Sequence, residues 1–348
     1  MITKGKGNLL DASAEALVNT VNCVGVMGRG IALQFKKAYP DNFKEYSKAC
    51  KLKDVQIGKM FVYDRGSLVN PRYIINFPTK KDWHEKSKLE YIDKGLQDLI
   101  DVIRRLEIKS VAVPPLGCGN GGLSWDDVWP RIEGAFKEIP EVTLILFEPG
   151  STPAAAVMPI RTRKPALTLF KAIVLDLINR YLKITDYWMT RLEIQKLVYF
   201  MQEGTGLGPK FTKWLYGPYS IGLEHALQDM DGHYLTGCGD NNKPYQEISL
   251  KPDVMDEVNA FMEKNADDSI RSQINRVMQL VEGFESPFSM ELLASTHFVA
   301  THNPNLLAAS PEEATEIIHR WNRHKQQFTA YQINRAWQRL EDQSWIMR

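Results

Sequence analysis

The stretch from Val111 to Trp125 constrains the fold more than any other part of the sequence. An apolar, β-branched run leads into a turn with four glycines, and Ser124 then stands where it would cap a following helix. A buried strand that feeds a glycine-rich turn and a helix N-terminus is a common cradle for phosphate, because outward-pointing N–H groups and missing Cβ atoms admit the anion. The same composition also fits a flexible surface loop, so this stretch alone leaves both interpretations open.

The first half of the chain alternates short β-branched runs with helical patterns, which predicts an α/β fold. The predicted strands are Met1–Lys4, Ala16–Val21, Lys59–Tyr63, Tyr73–Phe77, Ser110–Pro114 and Val142–Phe147. The predicted helices are Gly30–Ala38, Asn42–Leu52, Lys88–Leu106 and Trp125–Glu138. Strands separated by helices imply a mixed sheet with helices on both faces, and ligands of such sheets bind in the crevice at the strand ends.

A change in composition near residue 149 predicts two domains. Residues 1–149 carry 22 basic and 19 acidic side chains, a net charge of +3, whereas residues 150–348 carry 21 and 23, a net charge of −2. Between them, Glu148–Pro165 holds four prolines among small residues, which is typical of a linker. We therefore predict a first domain at 1–149, a linker at 150–165 and a mostly α-helical second domain at 166–348.

The second domain shows helical periodicity in six segments. These are Leu167–Ile184, Thr190–Gln202, Leu250–Asn265, Ser269–Glu282, Glu312–Trp321 and Phe328–Leu340. A short hairpin is expected around Lys213–Tyr216 and Gln246–Leu250.

The cysteines and the apolar runs exclude several classes of protein. The four cysteines are scattered without CxxC spacing, which favours reduced thiols in a cytoplasmic protein over a disulfide framework or a zinc site. No apolar run approaches the roughly 18 residues that span a membrane. We expect a cytoplasmic protein without a membrane partner, a metal or a cofactor.

A second glycine-rich turn follows the predicted strand that ends at Val21. Its spacing differs from the dinucleotide fingerprint, and no acidic residue about 20 positions further on could hold a ribose, so we reject a Rossmann site. Two glycine loops that each precede a helix can instead clamp a diphosphate, although Gly28 and Gly30 also fit a simple tight turn. Asn22, at the strand end, offers a donor and an acceptor to a sugar hydroxyl, or it caps the turn.

A third segment places Thr79, Lys80 and Lys81 after an apolar strand. A lysine at a strand end could clamp a phosphate or act as a nucleophile, and the second role needs a lowered pKa from burial or a neighbouring cation. Solvated surface lysines are the alternative.

Together these segments resemble a macrodomain, the ADP-ribose-binding α/β module. The resemblance rests on Lys6–Leu10, Val18–Asn22, Gly28–Ala32 and Leu116–Leu123. The sequence Pro78–His84 is similar to the branch that uses a lysine to release ADP-ribose. With its helical second domain, the whole chain resembles the DarG antitoxin family, which opposes DarT, a toxin that ADP-ribosylates thymidine in single-stranded DNA.

The resemblance implies a role for each matching residue. Asn8 and Leu9 correspond to adenine contacts, and Asn22 would face the distal ribose. Thr79 is a further substrate-binding residue, and Lys80 would attack the anomeric carbon or stabilise charge there. The first phosphate loop would consist of Met27, Gly28, Arg29, Gly30 and Ile31. The second would consist of Leu116, Gly117, Cys118, Gly119, Asn120, Gly121 and Gly122. Lysine-dependent relatives carry an acidic residue where this chain has Gly121, so the proton-transfer partner is left unassigned.

The family resemblance also implies partners for the chain: ADP-ribosylated single-stranded DNA as substrate, ADP-ribose as ligand, and a DarT-type toxin bound by the second domain. The interval Glu224–Glu291 has 14 acidic and 5 basic residues and is either a solvated face or a surface that occupies the DNA groove of the toxin. Two alternatives to a DNA ADP-ribosyl glycohydrolase are an ADP-ribose-reading module without turnover and a hydrolase of ADP-ribosyl esters on protein.

Overall fold

The computed structural model describes residues 1–150, 158–185, 188–238, 246–302 and 308–346. The chain divides into two compact units, with the boundary between Arg163 and Lys164. Residues 151–157 of the predicted linker lie outside the described part of the chain. The separate tasks assigned to the two domains stay a prediction.

The first unit is built on a six-stranded mixed sheet. Its strands are β1 (Ile2–Lys4), β2 (Ala16–Val21), β3 (Phe61–Asp64), β4 (Tyr73–Pro78), β5 (Ser110–Val113) and β6 (Thr143–Leu146). The strand order is β1-β6-β5-β2-β4-β3, and every neighbouring pair is parallel except β3 with β4. β3 begins two residues later than predicted. The Asp98 carboxylate explains this shift, because it binds both Lys59 Nζ and the Met60 N–H ahead of the strand.

Four helices connect these strands. They are α1 (Gly30–Ala38), α2 (Pro40–Lys51), α3 (Leu89–Arg105) and α4 (Trp125–Phe136). α2 begins at Pro40, two residues before the predicted start, because proline is well suited to the first helical position, where its N–H is not needed.

Alternating side chains on the strands pack against helices on opposite faces of the sheet. Val111 and Val113 of β5 belong to the core shared with α3 and α4, whereas Ala112 between them belongs to the core shared with α1. β4 behaves in the same way, with Ile75 on the first face and Ile74 on the second. The predicted mixed sheet with helices on both faces is confirmed.

Three fully buried asparagines cross-link the middle of the first unit. Asn19 on β2 donates to the Asn76 side chain on β4 over 2.9 Å, and Asn76 in turn donates to Asn42 Oδ1 on α2 over 2.7 Å and to the Phe61 carbonyl over 3.2 Å. Buried amides are stable only when such partners exist. The network therefore fixes β2, β4 and α2 at one relative position.

The second unit is mostly helical, as predicted. Its helices are α5 (Leu169–Ile184), α6 (Arg191–Thr205), α7 (Ile221–Met230), α8 (Val254–Asn265), α9 (Asp268–Val281), α10 (Pro287–Thr301), α11 (Pro311–Trp321) and α12 (Ala330–Asp342). The predicted helices do not include α7 and α10. α10 is buried on almost every side, and its buried residues include polar ones such as Glu291 and His297, so it shows no amphipathic stripe. None of the helices in the described ranges is long and apolar enough to cross a membrane.

The hairpin prediction needs a correction, because its two segments do not pair with each other. β7 (Thr212–Trp214) pairs with β8 (Gly217–Tyr219), and β9 (Leu235–Thr236) pairs with β10 (Ser249–Leu250). A two-residue turn at Leu215 and Tyr216 joins β7 directly to β8, so the two strands form a local hairpin.

Candidate active site

Three of the predicted site segments leave the sheet at the same edge. They follow the carboxyl ends of β5, β2 and β4, which are neighbours in the sheet and run parallel. The pairing of β2 with β4 continues past the strands, because Thr79 N donates to the Val21 carbonyl over 2.9 Å and Cys23 N donates to the Lys81 carbonyl over 3.1 Å. Thr79 itself is buried. The fold thus creates the crevice in which ligands of such sheets bind.

Asn22 shapes the first loop from within. Its Oδ1 accepts from Val24 N over 3.0 Å and from Val26 N over 3.3 Å, while its Nδ2 donates to the Val26 carbonyl over 2.6 Å. The buried Tyr46 hydroxyl donates to the Asn22 carbonyl over 2.6 Å. The contact of Asn22 with a ribose stays a prediction, and in the structure its amide holds the loop backbone in place. Met27 lies below this loop in the core.

The first loop ends at the N-terminus of α1, which is suited to an anion. Arg29 occupies the capping position without a side-chain cap, and the first turn contains no acidic residue. Gly28 and Gly30 are half-buried there, while Ile31 packs against the core. Uncapped N–H groups and the positive end of the helix dipole favour a phosphate at this end.

The N-terminus of α4, where the glycine-rich turn predicted a phosphate, differs from that of α1 because its first turn is acidic. Ser124 occupies the capping position, but its side chain makes no capping hydrogen bond, and Asp126 and Asp127 lie in the first turn. Two carboxylates repel a phosphate at that end. The charges therefore favour α1 over α4 as the seat of a diphosphate.

The second loop combines buried anchors with an open backbone. Leu116 is fully buried, and Gly117 lies below the surface of the loop. Cys118 is half-buried, which raises the pKa of its thiol to about 11. Gly119 is exposed, and apart from its chain neighbours no described heavy atom lies within 4 Å of the position that a Cβ would take.

Gly121 has no room for a side chain. A Cβ at this position would lie 2.2 Å from the Gly117 carbonyl oxygen and 2.4 Å from Ser87 Oγ. Ser87 N also donates to the Gly121 carbonyl over 3.0 Å, and Ser87 Oγ is buried without a hydrogen-bond partner among the described residues. Ser87 therefore occupies the space in which a side chain at position 121 would begin. Ser87 was not predicted as a site residue, because a single serine after a charged stretch is not a recognisable motif.

The Lys80 amine lies between the two loops. Lys80 Nζ donates to the Asn120 carbonyl over 2.6 Å, and Asn120 Nδ2 lies 3.2 Å from the position that a Cβ on Gly30 would take. Partial burial, helped by the neighbouring charge of Lys86, lowers the pKa of Lys80. Lys86 was not predicted, and its Nζ lies 3.2 Å from the Cβ position of Gly122. The arrangement brings a lysine of lowered pKa into contact with the second loop, close to the first.

Asn8 and Leu9 follow β1, two strands away from β5 at the same edge of the sheet. Asn8 Oδ1 accepts from Leu10 N over 3.0 Å, and its Nδ2 is buried without a partner among the described residues. Leu9 packs in the core beside Phe35. Asn8 Nδ2 is thus an unpaired donor at the residue that the resemblance assigns to adenine, and its contact with adenine stays a prediction.

The comparisons with known proteins agree with this geometry. The family described as Macro domain matches residues 18–132. The DNA ADP-ribosyl glycohydrolase of Mycobacterium tuberculosis is 47% identical over 340 residues, covering 93% of this chain and 94% of that protein. That of Thermus aquaticus is 45% identical over 327 residues, covering 93% of this chain and 88% of that protein.

The chain belongs to the DNA ADP-ribosyl glycohydrolase family.

A more distant member of the family joins two proteins in one chain. The DNA ADP-ribosyl transferase-DNA ADP-ribosyl glycohydrolase fusion protein of Thermosipho africanus is 30% identical over 186 residues. The match covers 49% of this chain and 45% of that protein.

Substitutions at two glycines of the second loop should have different effects. Gly119→Leu should leave the first unit folded, because its side chain enters open space, and should weaken ADP-ribose binding at least about tenfold by filling the crevice. Gly121→Ala should cost about 1–3 kcal/mol of stability, because its methyl group meets Gly117 and Ser87. Isothermal titration with ADP-ribose and thermal unfolding measure the two effects. Unchanged affinity in Gly119→Leu would show that the ligand does not lie over this loop.

Proposed function

We propose that the protein is a DNA ADP-ribosyl glycohydrolase that removes ADP-ribose from thymidine in single-stranded DNA. The observation that carries this proposal is the Lys80 amine, which lies between two glycine loops at the carboxyl edge of the sheet. The relatives in Mycobacterium tuberculosis and Thermus aquaticus bear the name of this activity. We also propose that the protein acts in the cytoplasm, where DNA is available.

ADP-ribose fits the crevice in one direction. The diphosphate takes the uncapped N-terminus of α1, where no acidic side chain opposes it. The adenine then extends toward Asn8, whose Nδ2 is a spare donor. The distal ribose lies over the second loop, with its anomeric carbon beside Lys80 Nζ.

Lys80 has two possible roles at that carbon. As a neutral amine it attacks the anomeric carbon while the bond to thymidine breaks, and water later releases the sugar. As a cation it stabilises the charge that develops during bond breaking. Burial and the Lys86 charge lower the pKa of Lys80 and so increase the fraction of neutral amine, which nucleophilic attack requires, and the pH dependence of the rate distinguishes the two roles. The steric block at Gly121 means that the acid of the relatives has no counterpart on this loop position.

Replacing Lys80 tests both roles at once. Lys80→Ala should reduce release from a modified oligonucleotide at least about a hundredfold and leave ADP-ribose affinity largely unchanged. For a nucleophile, the rate should rise with pH as the amine loses its proton. Lys86→Met should move this rise to higher pH, because removing the neighbouring cation raises the pKa of Lys80.

Other outcomes of the same experiments select the alternatives. A rate that falls as the amine loses its proton identifies the charge-stabilising role. Full turnover by Lys80→Ala excludes both roles. Wild-type protein that binds ADP-ribose without release is a reading module, and faster release from modified protein than from the oligonucleotide indicates an ester hydrolase.

We further propose that the second unit binds a DarT-type ADP-ribosyltransferase toxin. The fusion protein of Thermosipho africanus supports this partner, because its name joins a DNA ADP-ribosyl transferase and a glycohydrolase in one chain. The turn between β7 and β8 supplies a candidate surface, since Trp214, Leu215 and Tyr216 are all exposed there. Exposed aromatic side chains on a rigid support are typical of protein interfaces.

The backbone of this turn is held in place from several sides. Trp321 Nε1 donates to the Trp214 carbonyl over 2.9 Å, and Asn322 Nδ2 donates to the Leu215 carbonyl over 3.0 Å. The buried Lys196 Nζ donates to the Pro218 carbonyl over 2.7 Å. The apolar side chains are therefore presented by a rigid turn, which lowers the entropic cost of binding a partner.

The net negative charge of the interval Glu224–Glu291 is smaller in the structure than in the sequence alone, which weakens the case for a surface that resembles DNA. Glu224 binds Arg191, Asp229 binds Lys171, and the buried Glu291 binds Lys325. Because these three cations lie outside the interval, they neutralise part of its net charge. The idea that it occupies the DNA groove of the toxin stays a prediction, and the aromatic turn is the more definite candidate for toxin binding.

Two variants of the full chain should separate toxin binding from catalysis. The double variant Trp214→Ala, Tyr216→Ala should weaken binding to the toxin at least about tenfold. Truncating one aromatic hot-spot residue typically costs about 2 kcal/mol of binding free energy. It should still release ADP-ribose from DNA, whereas Lys80→Ala should still inhibit the toxin. Surface plasmon resonance with the toxin and an ADP-ribosylation assay measure these effects.

Tyr331→Ala is the matched control, because Tyr331 is an exposed aromatic residue elsewhere on the second unit. Equal loss of toxin binding in the control and the double variant would contradict an interface at the turn.

A further inference from the structure

Trp83 is the exposed aromatic side chain of the first unit. Trp83 has 48% of its surface accessible, whereas the other phenylalanine, tyrosine and tryptophan residues that the structure describes in this unit are buried or half-buried. It lies three residues after Lys80, and neither the ADP-ribose crevice nor the core accounts for it. A singly exposed aromatic ring needs no explanation by itself, but its place on the segment that follows Lys80 puts Trp83 next to the proposed site.

The segment that carries Trp83 is attached to both glycine loops. At its start, the Lys81 carbonyl accepts from Cys23 N over 3.1 Å, and the Lys80 carbonyl accepts from Cys23 Sγ over 3.4 Å. At its end, Ser87 N donates to the Gly121 carbonyl over 3.0 Å. The segment that carries Trp83 therefore connects the start of the first loop with Gly121 of the second.

Neighbouring side chains support the indole and surround it with charge. The His84 ring packs against Trp83, and the Asp82 carboxylate accepts from the His84 backbone N–H over 3.1 Å and pairs with its Nδ1 over 2.9 Å. Lys81 and Glu85 are exposed on the same segment. Because Lys80 and Lys86 are also present, lysines outnumber acidic residues here, and a polyanionic strand is attracted to this surface.

The position of the scissile bond determines on which side of the site the DNA strand continues. Lys80 acts where ADP-ribose joins the thymine base, and ADP-ribose fills the crevice on the inner side of that bond. The base and the rest of the strand must then continue on the outer side. The Lys81–Ser87 segment, attached to both loops, forms that outer side.

We propose that Trp83 is a stacking platform for a nucleobase of the single-stranded DNA substrate next to the modified thymidine, with Lys81 close to a flanking phosphate. This inference rests on the proposed function and identifies how the same site recognises the strand. Stacking on an indole suits single-stranded DNA, because every unpaired base offers a flat π-face, whereas a duplex keeps its bases covered.

Two substrates of different length test the proposal. Trp83→Ala should reduce kcat/KM for an ADP-ribosylated oligonucleotide about 5- to 100-fold, the effect of removing one base–aromatic stack. Its effect on ADP-ribosyl-thymidine, a substrate without neighbouring bases, should be small. Trp83→Phe should recover most of the loss on the oligonucleotide. Lys81→Gln should also reduce the salt dependence of oligonucleotide binding by somewhat less than one unit of slope, as expected for one phosphate contact.

Leu68→Ala is the matched control, because Leu68 is a fully exposed apolar side chain in the loop that precedes β4, whereas Lys80 follows the other end of that strand. Equal losses on the oligonucleotide and on ADP-ribosyl-thymidine would overturn the proposal, as would unchanged release from both. If the wild-type protein releases ADP-ribose from neither substrate, the proposed function itself fails. If it releases both and Trp83→Ala does so equally well, only the stacking role fails.

Discussion

The parallel pairing of β5, β2 and β4 is the constraint on which the rest of the first unit depends. Parallel strands place their carboxyl ends at one edge, so the segments that follow them must meet there. Hydrogen bonds from Thr79 and Cys23 extend the pairing into the loops. The buried asparagines on β2, β4 and α2 oppose a slip in register, because any shift would separate their amides. The position of Lys80 relative to both glycine loops is thus set by the sheet.

The crevice combines backbone groups, glycines and few charged side chains. In the proposed function, the uncapped helix end binds the diphosphate, the glycine-rich second loop admits the distal ribose, and the partly buried Lys80 acts on the anomeric carbon. Ser87 occupies the space beside Gly121, which changes the chemistry available on that side. In the proposed function, the reaction therefore relies on the Lys80 amine without a carboxylate at position 121.

Sequence patterns predicted the α/β class, the four helices of the first unit and the strands that carry the site, because β-branched runs and amphipathic stripes are local signals. They missed α10, whose burial on all sides removes its periodicity. They also missed Lys86 and Ser87, since the contacts of these residues with Gly122 and Gly121 cross between distant segments. The phosphate predicted near α4 stays a prediction: the first turn of α4 contains Asp126 and Asp127, whereas the first turn of α1 contains no acidic residue.

The measurement that tests the central claim most directly is a crystal structure of the Lys80→Ala chain with an ADP-ribosylated, thymidine-containing oligonucleotide. The account predicts the diphosphate at the N-terminus of α1 and the anomeric carbon about 3–3.5 Å from the place that Lys80 Nζ occupies in the intact protein, the distance of a reactive conformation. An anomeric carbon far from that place, or a diphosphate bound at another edge of the sheet, would contradict it.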